Sequence, residues 1–319
     1  MLALPLLWLG CAIAALVYSQ QQHIPWSLAV RALPAFLLEA SFYFALGQER
    51  WRARLEKLSP PLVALALTAV AAAPYCAASL AFGKFRWESL GVIAGLAAVA
   101  AFWYVVLPRR AGTDVLFLLL MTVVFVANLA PGQYVNPHPK LRLDVLGKVM
   151  WIRTGAFAML SVRRVKGVGF GFWPGRREWL IGLAYFAMFL PVAAGVAWAI
   201  GFTRPHLPPP GWDRTTVLTL GTFFGTLWVL AVSEEFFFRG LLQQWMGEWL
   251  RNEWLGLVVS SIVFGSAHLW LHAFPNWRTA ILAGIMGLFC GLAFRQASSI
   301  RASMVTHALT VTVVKLFFS

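Results

Sequence analysis

Apolar runs close to the length of a bilayer crossing recur along the whole chain, and they leave few folds open. They lie at Leu2–Tyr18, Trp26–Leu46, Leu62–Phe82, Leu90–Leu107, Val115–Leu129, Trp179–Phe202, Val217–Gly240, Leu255–Trp270, Thr279–Phe294 and Ala302–Phe318. A helix needs roughly 20 apolar residues to cross a bilayer, and lipid offers its backbone no hydrogen-bond partner. Each run must therefore satisfy its own N–H and C=O groups, which a helix does. Hydrophobic residues make up 60% of the 319 and charged residues only 12%, too little polar surface to keep a soluble chain of this length dispersed. The expected fold class is all-α, a polytopic transmembrane helical bundle of about 8–10 spans.

The net charge is +14, from 26 Lys+Arg against 12 Asp+Glu. In a soluble domain that balance points to nucleic acid. Here the cations fall mostly in short loops, where cytoplasmic segments face anionic lipid, so the expected partner is the lipid bilayer and not nucleic acid. Several of the 16 tryptophans flank apolar runs, where an interfacial ring is favoured. Cys11, Cys76 and Cys290 sit far apart inside apolar runs, with neither metal spacing nor a disulfide framework, and read as small buried hydrophobes. Leu2–Tyr18 lacks a basic flank before it and reads as a first transmembrane helix rather than a signal peptide.

Two connectors are basic. Gly47 to Ser59 carries Arg50, Arg52, Arg54 and Lys57, and Gly132 to Glu178 carries a longer series including Lys140, Arg142, Arg163, Arg164 and Lys166. Within the second, Val145 to Val162 is apolar but interrupted by Lys148 and Arg153, the pattern of a helix lying in the interface. Both connectors ask for the cytoplasm, yet three candidate spans separate them, so one span is expected to be miscounted or re-entrant. Pro205 and Pro208-Pro209-Pro210-Gly211 break the chain ahead of the later runs. The expected division is N-terminal helices over 1–131, a basic connector over 132–178, and a helical core over 179–319.

Of the acidic residues, Glu39, Glu234 and Glu235 lie well inside apolar runs, where an ionised group costs about 2.5–3.5 kcal/mol on insertion scales. Glu39 shares its run with Arg31, and the two read as structural. Glu234 and Glu235 differ by about 100° around a helix, so they face different ways, while Arg239 lies one turn beyond Glu235. That spacing pairs Glu235 with Arg239 and leaves Glu234 as a carboxylate suited to act as a general base on water. A plain buried salt-bridge cluster is the alternative. His268 and His307, in later apolar runs, turn the cluster into a constellation spread over three spans. Small faces at Ser261 and Gly265, and at Gly284, Gly287 and Gly291, let those helices approach closely. Two chemistries fit. Either Glu234 and His268 activate a water while His307 stabilises the oxyanion, or His268, His307 and a Glu hold Zn²⁺. Without an HExxH helix the metal-free version, with no cofactor, is preferred.

At these residues the chain resembles the CAAX prenyl endopeptidase and bacteriocin-processing (CPBP) family of intramembrane proteases. Glu234-Glu235-Phe236-Phe237-Phe238-Arg239 matches its EExxxR motif, Phe264 to His268 its FxxxH motif, and His307 the first position of its HxxxN/D motif. The likeness spans Val217 to Leu316. It implies a glutamate-dependent endopeptidase of the bacterial cytoplasmic membrane acting on a membrane-associated protein or peptide. Glu234 and His268 would position the water, Glu235 and Arg239 would support them, and His307 would bind the oxyanion. The departure is Val311, where the family places an amide or carboxylate; Thr310 is the nearest substitute. Val311 also opens a second reading, an immunity or scaffold protein that keeps the fold without efficient catalysis. A transporter would show inverted repeats or more charges within spans, and neither is present.

Overall fold

The computed structural model describes residues 3–202, 212–271 and 274–318. The prolines at 205 and 208–210 lie outside these residues. The described residues build helices, eight of them long and apolar enough to cross a membrane. The protein is an all-α, multi-pass membrane protein. It divides into two compact units, Met1–Val165 and Lys166–Ser319.

The N-terminal unit holds α1 (Ala3–Gln21), α2 (Trp26–Gly47), the short α3 (Glu49–Leu55), α4 (Pro60–Ala81), α5 (Trp87–Val106), α6 (Ala111–Val126) and α7 (Asp144–Arg163). Helix α7 replaces the interfacial helix expected over 145–162. It is apolar enough to cross and is largely enclosed, with Met150, Trp151, Arg153 and Thr154 buried. Its interrupting charge is neutralised from within. Arg153 Nε lies 2.7 Å from Glu39 Oε1, and Nη2 lies 3.2 Å from Oε2. Glu39 thus pairs with Arg153 and not with Arg31, which is exposed on another face of α2. A second pair joins Arg163 to Asp114 at 3.1 Å, and Tyr104 donates to the same carboxylate.

The crossing by α7 resolves the conflict over sidedness. Arg164 donates to the Glu56 carbonyl and Arg109 to the Val162 carbonyl, which puts residues 47–59, 107–110 and 162–164 at one end. Tyr18 donates to the Lys140 carbonyl, and the rings of Tyr75 and Tyr134 meet at 5.5 Å, which puts 18–25, 82–86 and 131–143 at the other. The long connector does not occupy one side; α7 carries its basic C-terminal part back. The additional crossing lies within the connector, at α7, and not among the three runs before it. Helix α6 makes its passage with only 16 residues.

The C-terminal unit holds α8 (Arg176–Ala199), the long α9 (Thr215–Trp249), α10 (Glu253–Ala267), α11 (Trp277–Ala297) and α12 (Ile300–Phe317). Phe189, Phe264, Ala283, Met286 and Cys290 form a buried cluster between α8, α10 and α11. The small faces read from the sequence do meet. A Cβ on Gly265 would sit 2.6 Å from the Ala280 carbonyl oxygen, while one on Gly284 would find its nearest neighbour at 3.6 Å. Between helices in lipid, such close approach supplies the dispersion contacts that hold them together. Gly265→Val is therefore expected to lower stability by about 1–3 kcal/mol, because backbone cannot yield, and Gly284→Ala to change little. Thermal unfolding in detergent compares the two; equal midpoints would show that α10 and α11 do not depend on this contact.

Candidate active site

Helix α9 presents the acidic pair in an unusual backbone. One α-helical turn, Val232–Glu235, is flanked by π-helical turns at Thr226–Ala231 and Phe236–Gln243. Wider turns of this kind are frequent at functional sites, and here they re-aim the side chains around the pair. The sequence offers no spacing signal for them.

Glu235 and Arg239 are wholly buried, with Arg239 Nε 3.2 Å from Glu235 Oε2. The contact is an ion pair without the alignment of a hydrogen bond. Arg239 Nη2 donates to the Gly287 carbonyl at 3.1 Å, and its guanidinium carbon lies 4.7 Å from the centre of the Phe264 ring. One turn on, Gln243 Nε2 donates to the Gly291 carbonyl at 3.2 Å. Arg239 and Gln243 thus repeat one contact at the four-residue spacing of both helices, tying α9 to the glycine face of α11. Gln243 escaped the sequence reading; its place one turn past Arg239 is the signal that could have found it.

His307 on α12 sits between the two carboxylates. Its Nδ1 is 2.7 Å from Glu235 Oε1, and its Nε2 is 3.8 Å from Glu234 Oε2. Because a carboxylate only accepts, Nδ1 carries the hydrogen and Nε2 is turned toward Glu234. Glu234 differs from its neighbour in access. Its side chain keeps 27% of its surface exposed, against none for Glu235.

His268 lies just past the C-terminus of α10, a helix of 15 residues. Its Nδ1 is 2.8 Å from the Phe264 carbonyl, so Nδ1 donates and Nε2 of the neutral ring keeps a free lone pair. The Phe264 ring stands 4.7 Å from the His268 ring and 6.0 Å from the His307 ring, so one aromatic side chain touches both imidazoles and Arg239. Thr310 is buried one turn below His307, but its Oγ1 donates to the Thr306 carbonyl at 2.9 Å. As placed, its single hydroxyl hydrogen is committed. Val311 is half-buried on the turn after His307.

The donor atoms that gather differ from the set read for zinc. The ligand atoms gathered within 4.8 Å among the described residues are those of Glu235, Cys290 and His307, not the His268, His307 and Glu set read from the sequence. In that trio, Glu235 already faces His307 Nδ1 through one oxygen and the Arg239 guanidinium through the other. A cation there would displace a donor and stand against a fixed positive charge.

Residues 214–313 match the family model of Rce1-like type II CAAX prenyl endopeptidases. The matched segment contains all the motifs quoted above and agrees with the resemblance they carry. Neither the curated proteins nor the solved structures yield a match. The matched segment lies wholly within the C-terminal unit.

Proposed function

We propose that the chain is an intramembrane endopeptidase of the bacterial cytoplasmic membrane that hydrolyses a peptide bond of a membrane-associated protein or peptide, using a water activated by Glu234 and His268 and no metal. The observation that carries this reading is the contrast between the paired carboxylates. Glu235 is sealed and held by Arg239 and His307, whereas the Glu234 side chain is partly exposed and its buried Oε2 has no hydrogen-bond partner, leaving that oxygen available to a water. Glu234 takes a proton from the water while the free Nε2 of His268 accepts the other hydrogen and fixes its direction. The water oxygen then adds to the carbonyl carbon. His307, protonated on both nitrogens, donates Nδ1–H to Glu235 and offers Nε2–H to the oxyanion. In that state the Glu235 carboxylate and the oxyanion face an imidazolium and a guanidinium, a balanced charge count. The proton held by Glu234 passes to the leaving nitrogen as the bond breaks.

The direct test is mass spectrometry of membrane-associated peptides incubated with the purified full chain and with Glu234→Ala and His268→Ala. Cleavage by the wild type that both variants lose supports the reading; equal cleavage by all three removes the mechanism.

The second reading, a scaffold or immunity protein with little catalysis, is favoured by one observation. The family position at Val311 carries no donor, and the neighbouring Thr310 hydroxyl is committed to Thr306. Losing one oxyanion donor typically costs about 10²–10³ in rate. Val311→Asn is expected to raise turnover of a weak protease by up to that order. A chain that cleaves nothing before or after the change would support the scaffold.

A further inference from the structure

The N-terminal unit has its own built surface. Three segments distant in sequence, 48–59, 107–110 and 162–164, are locked together at one end by arginines that cap helix carbonyls: Arg109 on Val162 and Arg164 on Glu56. Arg164 holds a left-handed backbone, φ 61°, unusual for a residue with a side chain. The convergence gathers Arg50, Arg54, Lys57, Arg109, Arg110 and Arg164, all exposed, and among the described residues none of them lies within ion-pairing distance of an acidic side chain. Helix α3 adds the amphipathic element. Arg54 stacks over the ring of Trp51 at 5.0 Å, and Trp51 and Leu58 are 48% and 40% exposed. The opposite end is different in kind. There Arg86 is engaged by Ser89, Arg142 by Asp144, and Lys148 lies over the Phe125 ring, leaving Lys84 and Lys140 among the described residues.

We propose that this basic end is a binding surface for anionic phospholipid headgroups, with Trp51 and Leu58 seated at the acyl boundary and the unpaired cations on the phosphates. A lipid is the occupant because α2, α4, α5 and α7 begin or end at this level, so the headgroup layer lies against these residues. Guanidinium groups match phosphate geometry, and an exposed tryptophan beside them suits the interface.

The test uses the full chain in nanodiscs of phosphatidylcholine containing a minor fraction of phosphatidylglycerol, with the lipid retained after extraction measured by mass spectrometry. The wild type is expected to retain phosphatidylglycerol preferentially. Each cation near an anionic surface contributes about fivefold, so Arg50→Gln/Arg54→Gln/Arg110→Gln should reduce the enrichment by up to about a hundredfold. These side chains are exposed, so an unchanged thermal midpoint checks that the fold persists. Arg142→Gln, at the other end, should leave enrichment intact. No enrichment in the wild type, or enrichment that the triple variant keeps, would overturn the proposal. So would full competition by soluble glycerol phosphate, which would make the site one for free phosphate.

Discussion

Glu234→Gln is expected to lower peptide-bond hydrolysis by about 10²–10⁴-fold while leaving the fold intact. Glutamine keeps the volume of the side chain and can still hydrogen-bond a water, but it cannot take the proton. The site geometry makes the effect specific to this carboxylate. Glu234 is the open member of the pair and Glu235 the sealed one, with His307 Nδ1 and Arg239 on its two oxygens. Glu234→Gln should therefore show a wild-type thermal midpoint and a collapsed turnover number. Wild-type turnover in Glu234→Gln would remove Glu234 as the base.

The second large effect is on stability. Arg239→Met leaves Glu235 as a buried carboxylate facing no guanidinium, and breaking such a pair costs about 3–5 kcal/mol. The variant also loses the bond to the Gly287 carbonyl and the stacking on Phe264, so the contact of α9 with α10 and α11 loosens with it. Glu235→Gln/Arg239→Met removes both charges together and is expected to regain much of that loss. Denaturant unfolding in detergent, run on the wild type, the single variant and the double variant, decides the matter. A double variant no more stable than Arg239→Met would mean that the lost packing, not the stranded charge, is responsible.

These two expectations differ in where they could be read. The Glu235–Arg239 pair follows from four-residue spacing on one helix, so the sequence already contained it. The difference in surroundings between Glu234 and Glu235 was legible in direction, because adjacent residues cannot share a face. Its degree was not, since the π-helical turns on both sides of Val232–Glu235 alter the rotation that an ideal helix would give. The motif residues Phe264 and His268 were also legible. That Phe264 would touch Arg239 and both imidazoles was not, because those contacts join three helices.

By itself the sequence determined that this chain spans a membrane as helices, that an acidic pair, an arginine and two histidines lie on the last spans, and that Glu235 belongs with Arg239. Hydropathy and helical spacing are local, and local rules suffice for each. Only the tertiary structure decided that Glu39 meets Arg153, 114 residues away, and that α7 therefore crosses rather than lying flat. It likewise committed the Thr310 hydroxyl to Thr306 and set His307 between two carboxylates. A buried charge must be neutralised, but lipid and helix geometry do not say which distant residue will do it. That choice belongs to the packing of whole helices.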